Sequence, residues 1–500
     1  MVALALLAWD AQQFLASGLR AIRYPFDLDY GEGIVWQQAQ QMRDGNAYGG
    51  ITTFPSIVFH YPPLYHAMTL AFQQLSGLDM LKSGRIVSVA ATLVLAVLAG
   101  LIAFETVRAE RARNAAILCG VVACLATLTM WPLTAWAPLM RVDMVAMAFA
   151  FAGVWFSMKA FTRPRLVHLA AVCFVASVFA KQTAIAAPAA AFLTLFLLKP
   201  RTALAGIASS VALGLVVLGS LCWVTDGGFA RHIFIYNINR LDFGRLGAIV
   251  AVLARHCDYL CIVALGLASW RGEGPALFAI RELRENLADQ RGKACLQLLV
   301  FYVLFAAVMM LTIAKIGSNI NYILETLCVV AVLVGISLRF VAAVATGTAE
   351  TERNASVILA VGLPILLAVQ ALAVPAPLAT ELTGRPLAEM RQLVEMVRAS
   401  SRPVISDDMV VIKRAGRDVV WEPSIFSELA SKGKWDERPF VKRIRNGEIG
   451  FFITVGHRGQ QPFESRYNPA VADAMDAAYP IEKPMAGYIL HLPRSEATAK

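Results

Sequence analysis

Long apolar runs alternate with short polar connectors along this chain, and the runs define its predicted elements. A helix that crosses a bilayer needs about 20 apolar residues. Runs near that length occupy about 1–19, 86–106, 114–135, 143–160, 166–180, 184–198, 203–224, 246–268, 295–313, 320–339 and 355–374, which predicts about eleven transmembrane helices. Lys181-Gln182-Thr183 divides two short runs that read as two short helices or one reentrant unit. Arg255, His256 and Asp258 interrupt another run, either as a buried polar network or because the span's edge lies elsewhere. The first run has no basic start and carries Asp10, so it reads as a shortened first span rather than a cleaved leader.

Beyond residue 375 the texture changes. LTGRPLAEMRQLVEMVRAS (382–400) has helical periodicity, whereas RPVISDDMVVIKRAG (402–416), GEIGFFITVGH (447–457) and GYILHLPR (487–494) read as short strands between turns. The expected fold class is an α-helical integral membrane protein: a polytopic domain over 1–375 with a large loop at 20–85, then a small α/β domain over 376–500.

Composition supports this class, with 58% hydrophobic and 16% charged residues, against about 25% charged in soluble domains. The net charge of +10 gathers in connectors: Arg108, Arg111 and Arg113; Lys159, Arg163 and Arg165; Lys199 and Arg201; Arg271, Arg281, Arg284, Arg291 and Lys293; Arg339 and Arg353. Eleven crossings put all of these on one face, which the positive-inside rule makes cytoplasmic. The excess therefore belongs to loops and implies no nucleic-acid partner. Loops 20–85, 136–142, 225–245 and 314–319, the Lys181 turn and the C-terminal tail then face outward. None of the eight cysteines lies in 20–80 or 375–500, and none has zinc-site spacing. Cys257 and Cys261 read as a pair of buried small hydrophobes.

The outward loop carries the candidate chemistry. DLDYGEG (27–33) sets Asp27, Asp29 and Glu32 beside two glycines, just after the first span. Asp29 and Glu32 have the spacing of a helix capping box. A carboxylate at this interface is equally suited to take a proton from an attacking hydroxyl. Gly31 and Gly33 would let a ligand approach the backbone. Ile34, Val35, Ala39 and Met42 then mark one face of a helix lying along the membrane surface, stopped at Gly45. HYPPLY (60–65) follows, and Arg85 opens the next span as an interfacial anchor.

This layout resembles the GT-C superfamily of membrane glycosyltransferases. The acidic motif matches Asp29-Tyr30-Gly31-Glu32-Gly33, and the Pro-Pro-Leu-aromatic motif matches Tyr61-Pro62-Pro63-Leu64-Tyr65. Arg141-Val142-Asp143, Lys181-Gln182-Thr183 and the stretch Lys315 to Tyr322 resemble further outer-face segments of bacterial relatives. The likeness covers roughly 1–375. In the family the acidic pair is adjacent; here it is split. Where aminoarabinose-type members carry a lysine before Pro-Pro, this chain has Tyr61 beside His60, so that phosphate contact must come from elsewhere.

The resemblance implies an inverting glycosyltransferase of the bacterial inner membrane, with its C-terminal domain periplasmic. Its donor would be a sugar on a polyprenyl phosphate, and its acceptor an envelope lipid, glycan or protein. The base would be Asp29, then Glu32, then Asp27. Cations that offset charge on the leaving phosphate would be Lys181, Arg141 and Lys315. Tyr61, Tyr65, His60, Asn319, Asn321 and Tyr322 would line the donor groove. The chemistry requires no metal or other cofactor. A transporter or flippase of lipid-linked saccharides is the alternative, though no two-half symmetry is visible; a non-catalytic scaffold is a third reading.

Overall fold

The computed structural model describes residues 1–108, 113–237, 239–268, 279–339, 341, 353–373 and 384–494. Arg111, Arg271 and the expected boundary near 375 lie outside them.

Each expected apolar run forms a helix. The first ten helices are α1 (Val2–Arg23), α2 (Gly31–Arg43), α3 (Leu64–Ser76), α4 (Met80–Arg108), α5 (Arg113–Thr129), α6 (Trp131–Trp136), α7 (Asp143–Ala160), α8 (Val167–Ala180), α9 (Ala186–Leu198) and α10 (Pro200–Val224). Later apolar helices are Gly247–Arg255, Cys257–Ala268, Arg291–Met310, Leu324–Ser337 and Arg353–Leu372. Five helices among the described residues are long and apolar enough to cross a membrane, or six when the pair Phe243–Arg255 and Cys257–Leu267 counts as one. The others are apolar but shorter. The 70° bend in that pair falls at His256, so the polar residues there mark a break in the helix. The Lys181 turn separates α8 from α9, two distinct short helices.

Apolar side chains face both ways. Inner ones such as Phe14, Ile102, Phe151 and Leu327 form one large cluster. Outer ones such as Val94, Val97, Val211 and Leu215 stay exposed, as a lipid solvent permits. Helices α4 and α5 cross at Gly100 and Gly120, where an added Cβ would sit 2.7 Å and 2.9 Å from the facing carbonyl oxygen. Small residues buy that close approach. Cys257 and Cys261, expected to be buried, are exposed; spaced four apart, they share a helix face, and it points away from the bundle.

The C-terminal region holds the helix Leu387–Ala399 and a four-stranded sheet ordered β1-β2-β4-β3. The strands are β1 (Ile405–Ser406), β2 (Phe452–Thr454), β3 (Ile481–Met485) and β4 (Tyr488–Leu492). β1 pairs parallel with β2; the other pairings are antiparallel. The first expected strand lasts only two residues because Asp408 accepts from Val411 N and starts the helix Met409–Arg414. This region shares its apolar clusters with the first loop: Phe26, Ile34, Tyr48 and Phe59 pack with Met390, Val411 and Tyr488. Helix α2 therefore has a protein roof over part of its surface, and Val35 and Ala39 are fully buried.

Candidate functional site

The first loop folds back between α4, the α6–α7 turn and the C-terminal region. Its acidic motif separates into three environments. Asp27 is 8% exposed and pairs with Arg385 at 2.5 Å. Burial raises Asp408 well above the usual carboxylate range, and the neighbouring Asp27 charge adds to this. Tyr488 Oη donates to Asp408 at 3.0 Å and reaches Asp27 at 3.5 Å. Asp27 thus belongs to the contact between loop and C-terminal region.

Glu32 is fully buried and bonded to the scaffold on both oxygens. Arg85 Nε and Nη2 approach at 2.8 and 2.6 Å, and Met140 N and Leu28 N donate at 2.8 Å each. The remaining Arg85 donors reach the Ala21, Tyr24 and Phe26 carbonyls. Two expectations are corrected here. Arg85 is no interfacial anchor, and Glu32, with both oxygens engaged, does not complete a capping box or face an incoming hydroxyl. Its type and position suited a base, but a buried guanidinium needs a counter-charge.

Asp29 stays partly open, its side chain 15% exposed. It accepts from Gly31 N at 2.8 Å and lies 3.3 Å from Arg141 Nη1. Arg141 Nη2 reaches Tyr61 Oη at 3.4 Å, and the guanidinium lies 5.3 Å from the Trp136 ring centroid. Gly31 leaves room for this guanidinium: a Cβ there would sit 1.3 Å from Arg141 Nη1. At Gly33 a Cβ would meet the Met409 and Val410 backbone at 2.6 Å. Both glycines therefore admit protein atoms, where a ligand was expected.

Tyr61 opens onto a cavity of about 170 Å³ that it shares with His60, Lys181, Gln182, Lys315 and Tyr322, among others. Lys181 lies 2.6 Å from Asp143 Oδ1 and 4.7 Å from the Tyr322 ring centroid. Trp136 Nε1 and Asn321 Nδ2 also donate to Asp143, at 2.7 and 2.8 Å. A second, small cavity of about 30 Å³ shares Lys181, Thr183 and Tyr322 and is also lined by Asp143, Asn321 and Glu325. Lys315 is half-buried on the cavity wall, held by the backbone pairing of Leu241 with Lys315. Among the described residues it has no carboxylate within ion-pair distance.

Several polar atoms around this cavity are buried without a partner: Arg141 Nε, Gln182 Oε1, Asn239 Oδ1 and Asn321 Oδ1. Buried polar groups normally find partners, so this concentration sets the region apart. His60 contributes no charge, because burial, reinforced by Arg141, pushes its imidazole down to about 3. Its Nε2 faces Glu422 at 3.7 Å. Two expected groove residues lie elsewhere. Tyr65 is fully buried, its hydroxyl donating to Gly84 O at 2.9 Å. Asn319 is exposed and caps the turn Ile320–Tyr322 through Ile320 N. Among the described residues no cluster of three or more His, Cys, Asp or Glu side chains is placed to hold a metal ion.

Some of the surroundings were not foreseen. His232 is buried; its Nδ1 accepts from Phe59 N, so Nε2 donates to Gly49 O. Arg240 pairs with Glu428, and Asn237 donates to His60 O. Glu422, 362 positions beyond His60, accepts from Tyr30 Oη at 2.7 Å. No local pattern announces such a partner.

No protein-family model matches the chain, and no curated protein matches it in sequence. Solved structures do. ArnT from Cupriavidus metallidurans bound to undecaprenyl phosphate superposes with a TM-score of 0.57 at 15% identity, over 90% of this chain and 92% of that one. The apo form of ArnT from the same organism gives 0.51 at 16%, over 88% and 91%. Over nearly its whole length, this chain therefore has the fold of ArnT.

Proposed function

We propose that the chain is an inverting glycosyltransferase that moves a sugar from a polyprenyl-phosphate donor to an envelope acceptor. The observation that carries this reading is one constellation. Asp29, Arg141 and Tyr61 form a line that ends on the cavity shared by Tyr61, Lys181 and Lys315. The fold shared with a structure bound to undecaprenyl phosphate supports the choice of donor.

In this reading the donor's phosphate lies among Lys181, Lys315 and Arg141, and its tail follows the apolar helices. Asp29 takes the proton of the acceptor hydroxyl. The hydroxyl oxygen bonds to the anomeric carbon from the side opposite the phosphate, and the bond from that carbon to the phosphate oxygen breaks. The electron pair leaves on the phosphate, where cations offset it. One carboxylate suffices, because no covalent sugar adduct forms. Glu32, held by Arg85, positions the loop, and Asp143 orients Lys181. The site faces the periplasm of a bacterial inner membrane, opposite the basic connectors, and the described residues of the 376–500 region form the periplasmic α/β domain roofing it. Eleven helices span.

The test is transfer itself. The purified chain, in liposomes with a panel of radiolabelled undecaprenyl-phosphate hexoses and an envelope extract, is expected to move label from lipid phosphate to a new product. Translocation of the labelled lipid without transfer would overturn the proposal in favour of a flippase.

A further inference from the structure

A second constellation lies at the other end of the same helices. Helix α7 carries Asp143 at its first residue and Lys159 near its last. Its 18 residues span about 27 Å at 1.5 Å per residue. Around Lys159 opens a chamber of about 530 Å³ lined by Glu105, Arg108, Trp155, Arg163 and Arg291. Among the described residues lining it, four cations face one carboxylate.

Glu105 is spent on two of those cations: it pairs with Lys159 and, at 2.7 Å, with Arg291. Arg108 and Arg163 are exposed, and no described carboxylate lies within ion-pair distance of either. Two buried donors are also unpartnered: Arg291 Nε and Trp155 Nε1. An unmade hydrogen bond on a buried donor costs about 1–3 kcal/mol, so a cluster of two beside surplus positive charge points to an absent acceptor.

We infer that this chamber binds the phosphodiester headgroup of an anionic membrane lipid. A phosphate group supplies the missing acceptors and charge, and guanidinium forks match its geometry. The lipid source follows from placement. The chamber sits where spans end, and Phe156 and Leu166 add apolar wall against which acyl chains can lie. Basic pockets between spans are suited to such headgroups. The site is independent of the proposed transfer reaction and lies at the opposite end of α4 and α7.

The experiment is native mass spectrometry of the full chain in detergent. It is incubated with phosphatidylglycerol or phosphatidylcholine of matched chains, and separately with inorganic phosphate. Phosphatidylglycerol is expected to be retained in preference to phosphatidylcholine. The Arg108→Gln/Arg163→Gln variant removes exposed cations, so its fold is expected to persist, and it should weaken that retention roughly twentyfold. Trp155→Phe keeps the ring and removes only the N–H; it should weaken retention roughly fivefold with an unchanged melting temperature. Equal retention of both lipids by the native chain, or an undiminished preference in both variants, would overturn the inference. Saturation by inorganic phosphate without lipid preference would overturn the lipid assignment.

Discussion

Glu32 and Arg85, 53 positions apart in sequence, form a buried ion pair with a shortest N–O distance of 2.6 Å. The pair ties the acidic loop to the N-terminal end of α4, so the loop's position depends on it. Breaking a buried pair by removing one partner costs about 3–5 kcal/mol. Glu32→Gln is therefore expected to lower the melting temperature in detergent markedly, whereas Asp29→Asn should leave it within error of the native chain. The reverse order in a thermal-unfolding series would contradict this division of roles.

The two glycines of the acidic motif give a contrasting pair. At Gly31 the conflict is with the end of a flexible side chain, Arg141. Gly31→Ala is expected to fold and to lose at least tenfold in donor binding as Arg141 is pushed aside. At Gly33 the conflict is with backbone of the helix Met409–Arg414, which cannot swing away. Gly33→Ala should destabilise the contact between loop and C-terminal region, read as faster limited proteolysis there.

Lys315 and Lys181 differ in what they leave behind. Lys315→Gln strands no counter-charge, so it should weaken undecaprenyl phosphate binding roughly tenfold without thermal cost. Lys181→Gln leaves Asp143 with only neutral donors; it should lose binding and stability together. Binding measured by tryptophan quenching, alongside melting curves, separates the two.

Glu422 gives a pH dependence. Burial raises its carboxyl from 4.5 to about 7. A raised folded value means that the stabilising contribution is complete below 4.5 and is lost as pH rises through about 7. The gap corresponds to roughly 3 kcal/mol at most. Native protein should melt at a lower temperature at pH 8 than at pH 5. Glu422→Gln, neutral throughout and still able to accept from Tyr30, should flatten that slope. Parallel slopes would refute the assignment.

Much of the helical framework was legible because a lipid solvent demands apolar runs, and each apolar run in the sequence forms a helix. Asp29, Lys181 and Arg141 stood out as charges beside apolar segments, which need partners. The partners themselves were hidden. Arg141 neighbours Asp143 in sequence, yet it contacts Asp29, while Lys181 takes Asp143. Glu32 and Asp29 are the same kind of group three positions apart; only the fold makes one a strut and leaves the other open. The two-residue β1 and the roof over α2 were illegible because they depend on packing between the first loop and residues beyond 385.

The most direct measurement of the central claim is sugar transfer by Asp29→Asn in liposomes, using whichever radiolabelled undecaprenyl-phosphate hexose the native chain consumes. The account predicts a rate at least about a hundredfold below native, with undecaprenyl phosphate binding and melting temperature retained. Transfer within twofold of native by that variant would contradict it.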